Sequence, residues 1–456
     1  MSKLDAAGYT RLHEDTPFKG AIKANGRYYY TRNTSTIVAF LVGGKYDPSS
    51  DNTPGGFKII GGHTDSPNLR IKPHSKRSSN GCTQLSVECY GGGLWETWFD
   101  RDLSVAGRVM VRDADGKMIR QQLVKIDRPL IRVPSLCIHL KTGEERAAFK
   151  YNKEEHLQPV LAGEVKSALT GEKRSSPDDA SDASDADQWV AGHEPMLMQA
   201  VAEELKIDVK QIVDFELMCY DTQDAALGGM NNEFLYSARL DNQGTCFVCT
   251  EALVQYDLER LKTEVDVSMV CLFDHEEVGS ASQCGAGSPI MSEAVRRVVS
   301  AMTKDPHATE DALQIALRKS FCFSVDMAHA VHPNYASKHE KAHAPRMNAG
   351  VVIKTNSNQR YTTNSFTGMI IREIGRKSGA RLQEFVVRND CPCGSTIGPI
   401  IAEKTGIRSV DAGMPQLSMH SCREMMGVAD LTICLDLFSG FWEHFREIDD
   451  CCFNCS

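Results

Sequence analysis

Five short motifs carry residue types suited to metal-assisted hydrolysis. They are GGHTDSP with His63, ARLDNQG with Asp241, DHEEVGS with Glu276 and Glu277, SVDMAHA with Asp326, and MHSCREM with His420. The same context recurs in them: an apolar run of strand type, then a metal-ligand type, then glycine or a helix start. Two histidines and four carboxylates suit a two-zinc hydrolase, in which one carboxylate bridges the metals and another serves as base. No single motif supports that reading alone.

The Glu276–Glu277 pair is the most informative. Adjacent carboxylates at the end of an apolar strand repel unless a cation is present. Neighbouring residues in extended chain point in different directions, so Glu277 is assigned as a ligand and Glu276 as the general base toward water. A solvated acidic turn is the competing explanation. In His63-Thr-Asp65, Asp65 is placed to orient the imidazole, directly or through the peptide, although Asp-Ser-Pro is also an ordinary turn. Asp241 stands where it could equally cap a helix. His329 and His332, which follow Asp326, are expected to pack or hydrogen-bond beneath the site. His339 and His343 fall in a charged, exposed loop.

The elements that must position these residues follow from hydrophobic periodicity. Strands are predicted at 27–31, 36–43 and 57–62, the last ending at His63. From about residue 73 the pattern changes: 82–90 alternates, 107–126 forms a hairpin around Asp115–Gly116, and 128–140 is extended and punctuated by proline. Residues 171–187 are acidic and nearly apolar-free, a disordered surface loop. A helix over 195–206 and a strand over 212–220 close this β-rich module. After residue 233, strands (266–273, 321–325, 349–354, 384–387, 407–411) alternate with helices (242–258, 291–303, 364–378, 396–405, 427–446). Such alternation predicts an α/β fold with a mostly parallel sheet flanked by helices, and ligands at the carboxyl ends of its strands. The expected division is a discontinuous catalytic domain, 1–72 plus 226–456, interrupted by a β-rich insertion, 73–225.

The 456 residues suffice for two or three domains. A net charge of −9 argues against nucleic acid or an anionic membrane as partner, and requires a local cation wherever an acidic ligand binds. No apolar run approaches the roughly 20 residues of a membrane span, and MSKLDAAGYTRLHED has no secretory h-region. Many of the 16 cysteines, Cys246, Cys249, Cys271, Cys322 and Cys434 among them, sit inside apolar runs. They read as buried, reduced residues of a cytoplasmic protein. Cys391–Cys393 resembles half a metal site, but no second pair completes it.

GGHTDSPNLRIKP, YGGGLWETWFDRDL, LDNQ, FDHEEVGS, DMAHAVHPNY, NDCPCGSTIGP and PQLSMHSCREM resemble the aspartyl aminopeptidase family of dinuclear zinc metallopeptidases, over nearly the whole chain. The resemblance implies a zinc-peptidase α/β domain with an inserted β-rich dimerisation domain. It implies two Zn²⁺ per subunit, one site exchangeable with Mn²⁺ or Co²⁺. Asp241 would bridge them, His63 and Asp326 would complete one site, and Glu277 and His420 the other. Glu276 would be the base, with Asp65 behind the ligands. Substrates would be peptides with N-terminal Asp or Glu, and Lys354 would read that acidic side chain, although a strand-end lysine more often snorkels to solvent. His139, an ordinary strand residue by pattern alone, would reach a neighbouring subunit's site in a homo-oligomer, a tetrahedral dodecamer built from dimers. Family members carry a further amphipathic stretch ahead of the position where this chain begins. That difference bears on stability and subunit contacts, because no ligand lies there.

Overall fold

The computed structural model describes residues 1–50, 54–163, 189–304 and 306–453; the acidic segment 171–187 lies outside them. The chain divides into two compact units: Met1–Ser66 with Ala226–Met419 and Glu424–Ser456, and Pro67–Ala225 with His420–Arg423.

The first unit is built on a nine-stranded sheet. Its centre is parallel: Phe57–His63 lies between Val267–Phe273 and Phe321–Val325, and Phe321–Val325 pairs in turn with Arg408–Gly413. Antiparallel pairings join Thr36–Val42 to Val267–Phe273, and Val351–Thr355 to Arg408–Gly413. Strand Val267–Phe273 is buried along its whole length, as a strand covered on both faces must be. Its residues divide by alternation. Val270 and Leu272 pack into one core with the helices Leu240–Val254, Ser365–Ser378 and Val428–Phe453. Val267, Met269, Cys271 and Phe273 pack into the other, with Ile290–Met302 and Thr309–Lys319. The α/β class and the helix-flanked sheet agree with the sequence.

Two buried ion-pair groups brace this unit. Lys58 Nζ donates to Glu264 Oε2 at 2.7 Å and to the Trp442 carbonyl at 2.6 Å. Arg446 and Arg408 hold Asp266 and Asp449, carboxylates that are fully buried.

The second unit carries a six-stranded sheet in the order Ile119–Lys125, Leu103–Arg112, Ile212–Asp221, Asn68–Ser79, Cys82–Tyr90, Val160–Gly163. The predicted hairpin is present, with Gly116 at φ +74° in its turn. Two expectations need correction. Residues 128–140 are not extended throughout: they form only isolated bridges at Ile131–Val133 and then a 3₁₀ turn, Ile138–Leu140. His139 is therefore a turn residue rather than a strand residue, because prolines 129 and 134 remove the amides a ladder needs.

Candidate metal centre

His63 ends a strand buried along all its residues and is itself 1% exposed. The parallel register sets Phe273 beside it, and the Thr64 amide donates to the Phe273 carbonyl at 2.7 Å. Beyond Phe273 the chain turns through His275, at φ +63°, into a 3₁₀ turn Glu276–Val278 that ends at Gly279, φ +93°. On the other flank Phe321–Val325 delivers Asp326, whose amide donates to the Ala412 carbonyl at 3.0 Å. Asp241 enters from the start of Leu240–Val254, where it and Asn242 have non-helical dihedrals.

These pieces converge on the His63 ring. Nε2 stands 3.2 Å from Asp326 Oδ1 and 3.4 Å from Asp241 Oδ1. Nδ1 stands 3.1 Å from the Asp65 carbonyl oxygen and 3.5 Å from its carboxylate. Donation from Nδ1–H to that carbonyl leaves Nε2 as the ligating nitrogen. Asp65 has a second role: Oδ1 accepts from the Glu276 amide and Oδ2 from the Glu277 amide, both at 3.1 Å. One carboxylate thus pins the turn that carries both glutamates.

The site fits zinc. Zinc–nitrogen and zinc–oxygen bonds of about 2.0–2.2 Å in a tetrahedron set an N···O edge of about 3.4 Å, matching the separations of His63 Nε2 from Asp326 and Asp241. His63, Asp241 and Asp326 form one group whose donor atoms lie within 4.8 Å of one another, and His63, Glu276 and Glu277 form another. The electrostatics agree. Burial pushes the His63 pKa down, but Asp241, Asp326 and Asp65 outweigh it and hold the ring well above its usual value. The Glu276 carboxyl is pushed up to about 7, chiefly by burial; His63 opposes this, while Asp326, Asp241 and Asp65 add to it. Five carboxylates around one imidazole call for a cation.

Lys354 is 3% exposed rather than snorkelling. Its Nζ donates to the Met327 carbonyl at 2.6 Å, stands 3.6 Å from Asp326 Oδ2 and faces the Tyr361 ring at 5.5 Å. His420 and His139 belong to the second unit. His420 is in a turn with φ +65°, its Nδ1 3.1 Å from the Gly92 carbonyl. His139 is exposed. His332 accepts from the Asn334 amide through Nδ1, and the His329 ring packs against Phe385. Among the described residues Cys391 and Cys393 join no group of three metal-ligating side chains. No disulfide joins the described cysteines to one another. Sequence reasoning passed over three supports of Asp241 and its neighbour. Glu424 Oε2 accepts the Asp241 amide at 2.9 Å, Ser66 Oγ donates to the Asp241 carbonyl at 2.5 Å, and Asn242 Nδ2 donates to the Val325 carbonyl at 2.9 Å. Each lies inside a motif already singled out, and that proximity was the available signal.

A histidine ringed by carboxylates at the carboxyl ends of parallel strands defines an α/β metal-dependent hydrolase. The chain belongs to the aminopeptidase I zinc metalloprotease family, M18, whose model matches residues 1–442; it is a zinc-dependent aminopeptidase. It is 45% identical to a probable aspartyl aminopeptidase of Ricinus communis, over 98% of this chain and 91% of that protein. It is also 45% identical to the aspartyl aminopeptidase of Dictyostelium discoideum, covering 98% and 92%. Among solved structures, the Ape4–Nbr1 complex matches with a TM-score of 0.90 at 42% identity, covering 98% of this chain and 82% of that one. The Saccharomyces cerevisiae mApe1 dodecamer matches at 0.82 and 27%, covering 98% and 92%.

Proposed function

We propose that this chain removes N-terminal Asp and Glu from peptides, using two zinc ions per subunit and Glu276 as general base. The observation that carries the reading is the set of contacts around His63, with the Glu276–Glu277 turn pinned by Asp65. In this reading Asp241, His63 and Asp326 would hold one zinc, and Asp241, Glu277 and His420 the other. The Gly92 carbonyl at His420 Nδ1 supports Nε2 as that residue's ligating atom. Mn²⁺ or Co²⁺ can replace zinc at one site.

When bound, the zinc supplies Lewis acidity toward the scissile carbonyl and charge for the oxyanion that develops. Glu276 removes a proton from the attacking water and returns it to the leaving amine. Asp65 keeps the glutamate turn in place. Lys354 meets the acidic side chain of the substrate, and burial strengthens that attraction over what it would be in water. A cationic reader of this kind also answers the −9 net charge of the chain.

The proposed assembly is a tetrahedral dodecamer of dimers, in which the second unit supplies dimer contacts and His139 reaches a neighbouring site. The exposed Leu136, Ile138 and Leu140 around His139 support an interface there. Buried reduced cysteines such as Cys246, Cys249, Cys271, Cys322 and Cys434 favour the cytoplasm, and among the described residues no helix is long and apolar enough to cross a membrane.

The test is Glu276→Gln. Turnover of an N-terminal Asp peptide is expected to fall by about 10³-fold or more, with the zinc content per chain unchanged. Near-normal turnover would remove Glu276 from the mechanism.

A further inference from the structure

Among the described residues, one more group of ligand types is assembled outside the donors assigned to the zinc centre. Asp274, His275 and Cys284 each present a donor atom, all within 4.8 Å of one another. We propose that they form a third cation site, selective for thiophilic divalent ions such as zinc and cadmium.

The spacing suits a metal. A zinc–sulfur bond of about 2.3 Å and a zinc–nitrogen bond of about 2.05 Å subtend an S···N edge of about 3.6 Å in a tetrahedron. His275 Nδ1 stands 3.5 Å from Cys284 Sγ. Asp274 Oδ2 lies 3.6 Å from the ring's other nitrogen, Nε2, where it favours Nε2–H and leaves Nδ1 as the ligating atom; Ser282 Oγ lies 2.8 Å from Nδ1. Ser282 and a water complete four-coordination around an ion held by Nδ1 and Sγ. The thiol sets the selectivity: thiolate favours zinc and cadmium over magnesium and calcium, which take oxygen ligands. Binding exchanges the thiol proton for the metal, and the proton leaves to solvent.

The frame around the trio is already fixed. The Asp274 amide donates to Thr36 Oγ1 at 2.9 Å, and that hydroxyl donates to the Cys284 carbonyl at 2.6 Å. The His275 carbonyl accepts from the Ser280 amide at 2.7 Å. Cys284 is 1% exposed, whereas the His275 side chain is 23% exposed, so an ion has a route in from solvent. The site brackets the turn that carries Glu276 and Glu277, and its histidine adjoins Glu276.

Cadmium titration of the full-length, zinc-loaded enzyme tests the proposal, read as cadmium bound per chain and as the thiolate-to-cadmium charge-transfer band. The donors assigned to the catalytic centre contain no sulfur, so exchange there gives no such band and occurs alike in every variant. Wild type is expected to bind one more cadmium per chain than Cys284→Ala and to lose the band with that substitution, whereas Cys391→Ala keeps both. His275→Gln, which leaves the thiol in place, is expected to weaken the extra ion by at least about tenfold. An extra ion and band that persist in Cys284→Ala and His275→Gln, or a wild type that binds no more cadmium than Cys284→Ala, would overturn the site.

Discussion

Asp65 holds two consecutive backbone amides, and its replacement separates positioning from ligation. Asp65→Asn keeps the shape but turns an N–H toward one of the two amides. The expected result is a fall in kcat of about 10- to 100-fold, with zinc retained and KM little changed; loss of zinc instead would mean that Asp65 supports binding rather than the turn. Lys354 gives a second residue-scale prediction. Lys354→Met should cut kcat/KM for N-terminal Asp and Glu peptides by about 10²-fold, the worth of a buried ion pair near 3 kcal/mol, and leave Leu peptides nearly unaffected. Equal loss on both would make Lys354 a support of Asp326, which lies 3.6 Å away. At this scale the residue types were legible: a strand-end histidine and paired glutamates announce themselves. Two properties that depend on tertiary neighbours were not. The burial of Lys354 follows from Met327 and Tyr361 closing over it, and the hold of Asp65 on the turn joins residues more than two hundred positions apart.

Among the elements, the strands feeding the site were readable because burial on both faces leaves nearly continuous apolar runs. The strand Asn68–Ser79 was not, since Pro73 and a register shift between Ile71 and Lys76 break its alternation. The helix Thr309–Lys319 was missed too; it buries only Ala312, Leu313 and Ala316, too thin an apolar stripe to stand out. Close packing between elements gives a further prediction. A Cβ at Gly413 would overlap the Asp326 carbonyl oxygen. Gly413→Ala is therefore expected to displace a metal ligand and to cost about 1–3 kcal/mol in overpacking, seen as a lower Tm and faster zinc loss to a chelator. In the second unit, His193 lies against Trp189 and Phe215 with Nδ1 2.8 Å from Ser75 Oγ. Burial first, then His74, push its pKa down to about 4, against a weaker pull from Asp214. The folded state thus keeps the ring neutral where the unfolded chain would protonate it. Its contribution is whole above about pH 6.5 and is lost as pH falls toward 4, by at most about 1.4 kcal/mol per pH unit. His193→Gln should flatten the dependence of Tm on pH in that window.

For the whole molecule, the informative surface is one that the linear pattern concealed. Leu136, Ile138 and Leu140 read as parts of an extended, proline-punctuated stretch; folding instead places them on and beside a turn at 49%, 63% and 70% exposure. Phe149 is also exposed, at 46%. Water contact at large aliphatic residues costs about 25 cal/mol per Å², so covering them in an assembly is favourable. His139 sits among them, and the proposed role requires both that the assembly forms and that the imidazole arrives. Two variants separate those requirements. Ile138→Asp with Leu140→Asp places charge on the patch, and the particle mass by light scattering and the specific activity should fall together. His139→Ala leaves the aliphatic residues in place, so the mass should hold while kcat drops by about 10²-fold, as for loss of one hydrogen-bond donor at a reacting carbonyl. Full mass and full activity in the double variant would show that this face is not an interface; full activity in His139→Ala would show that the histidine takes no part in the neighbouring site.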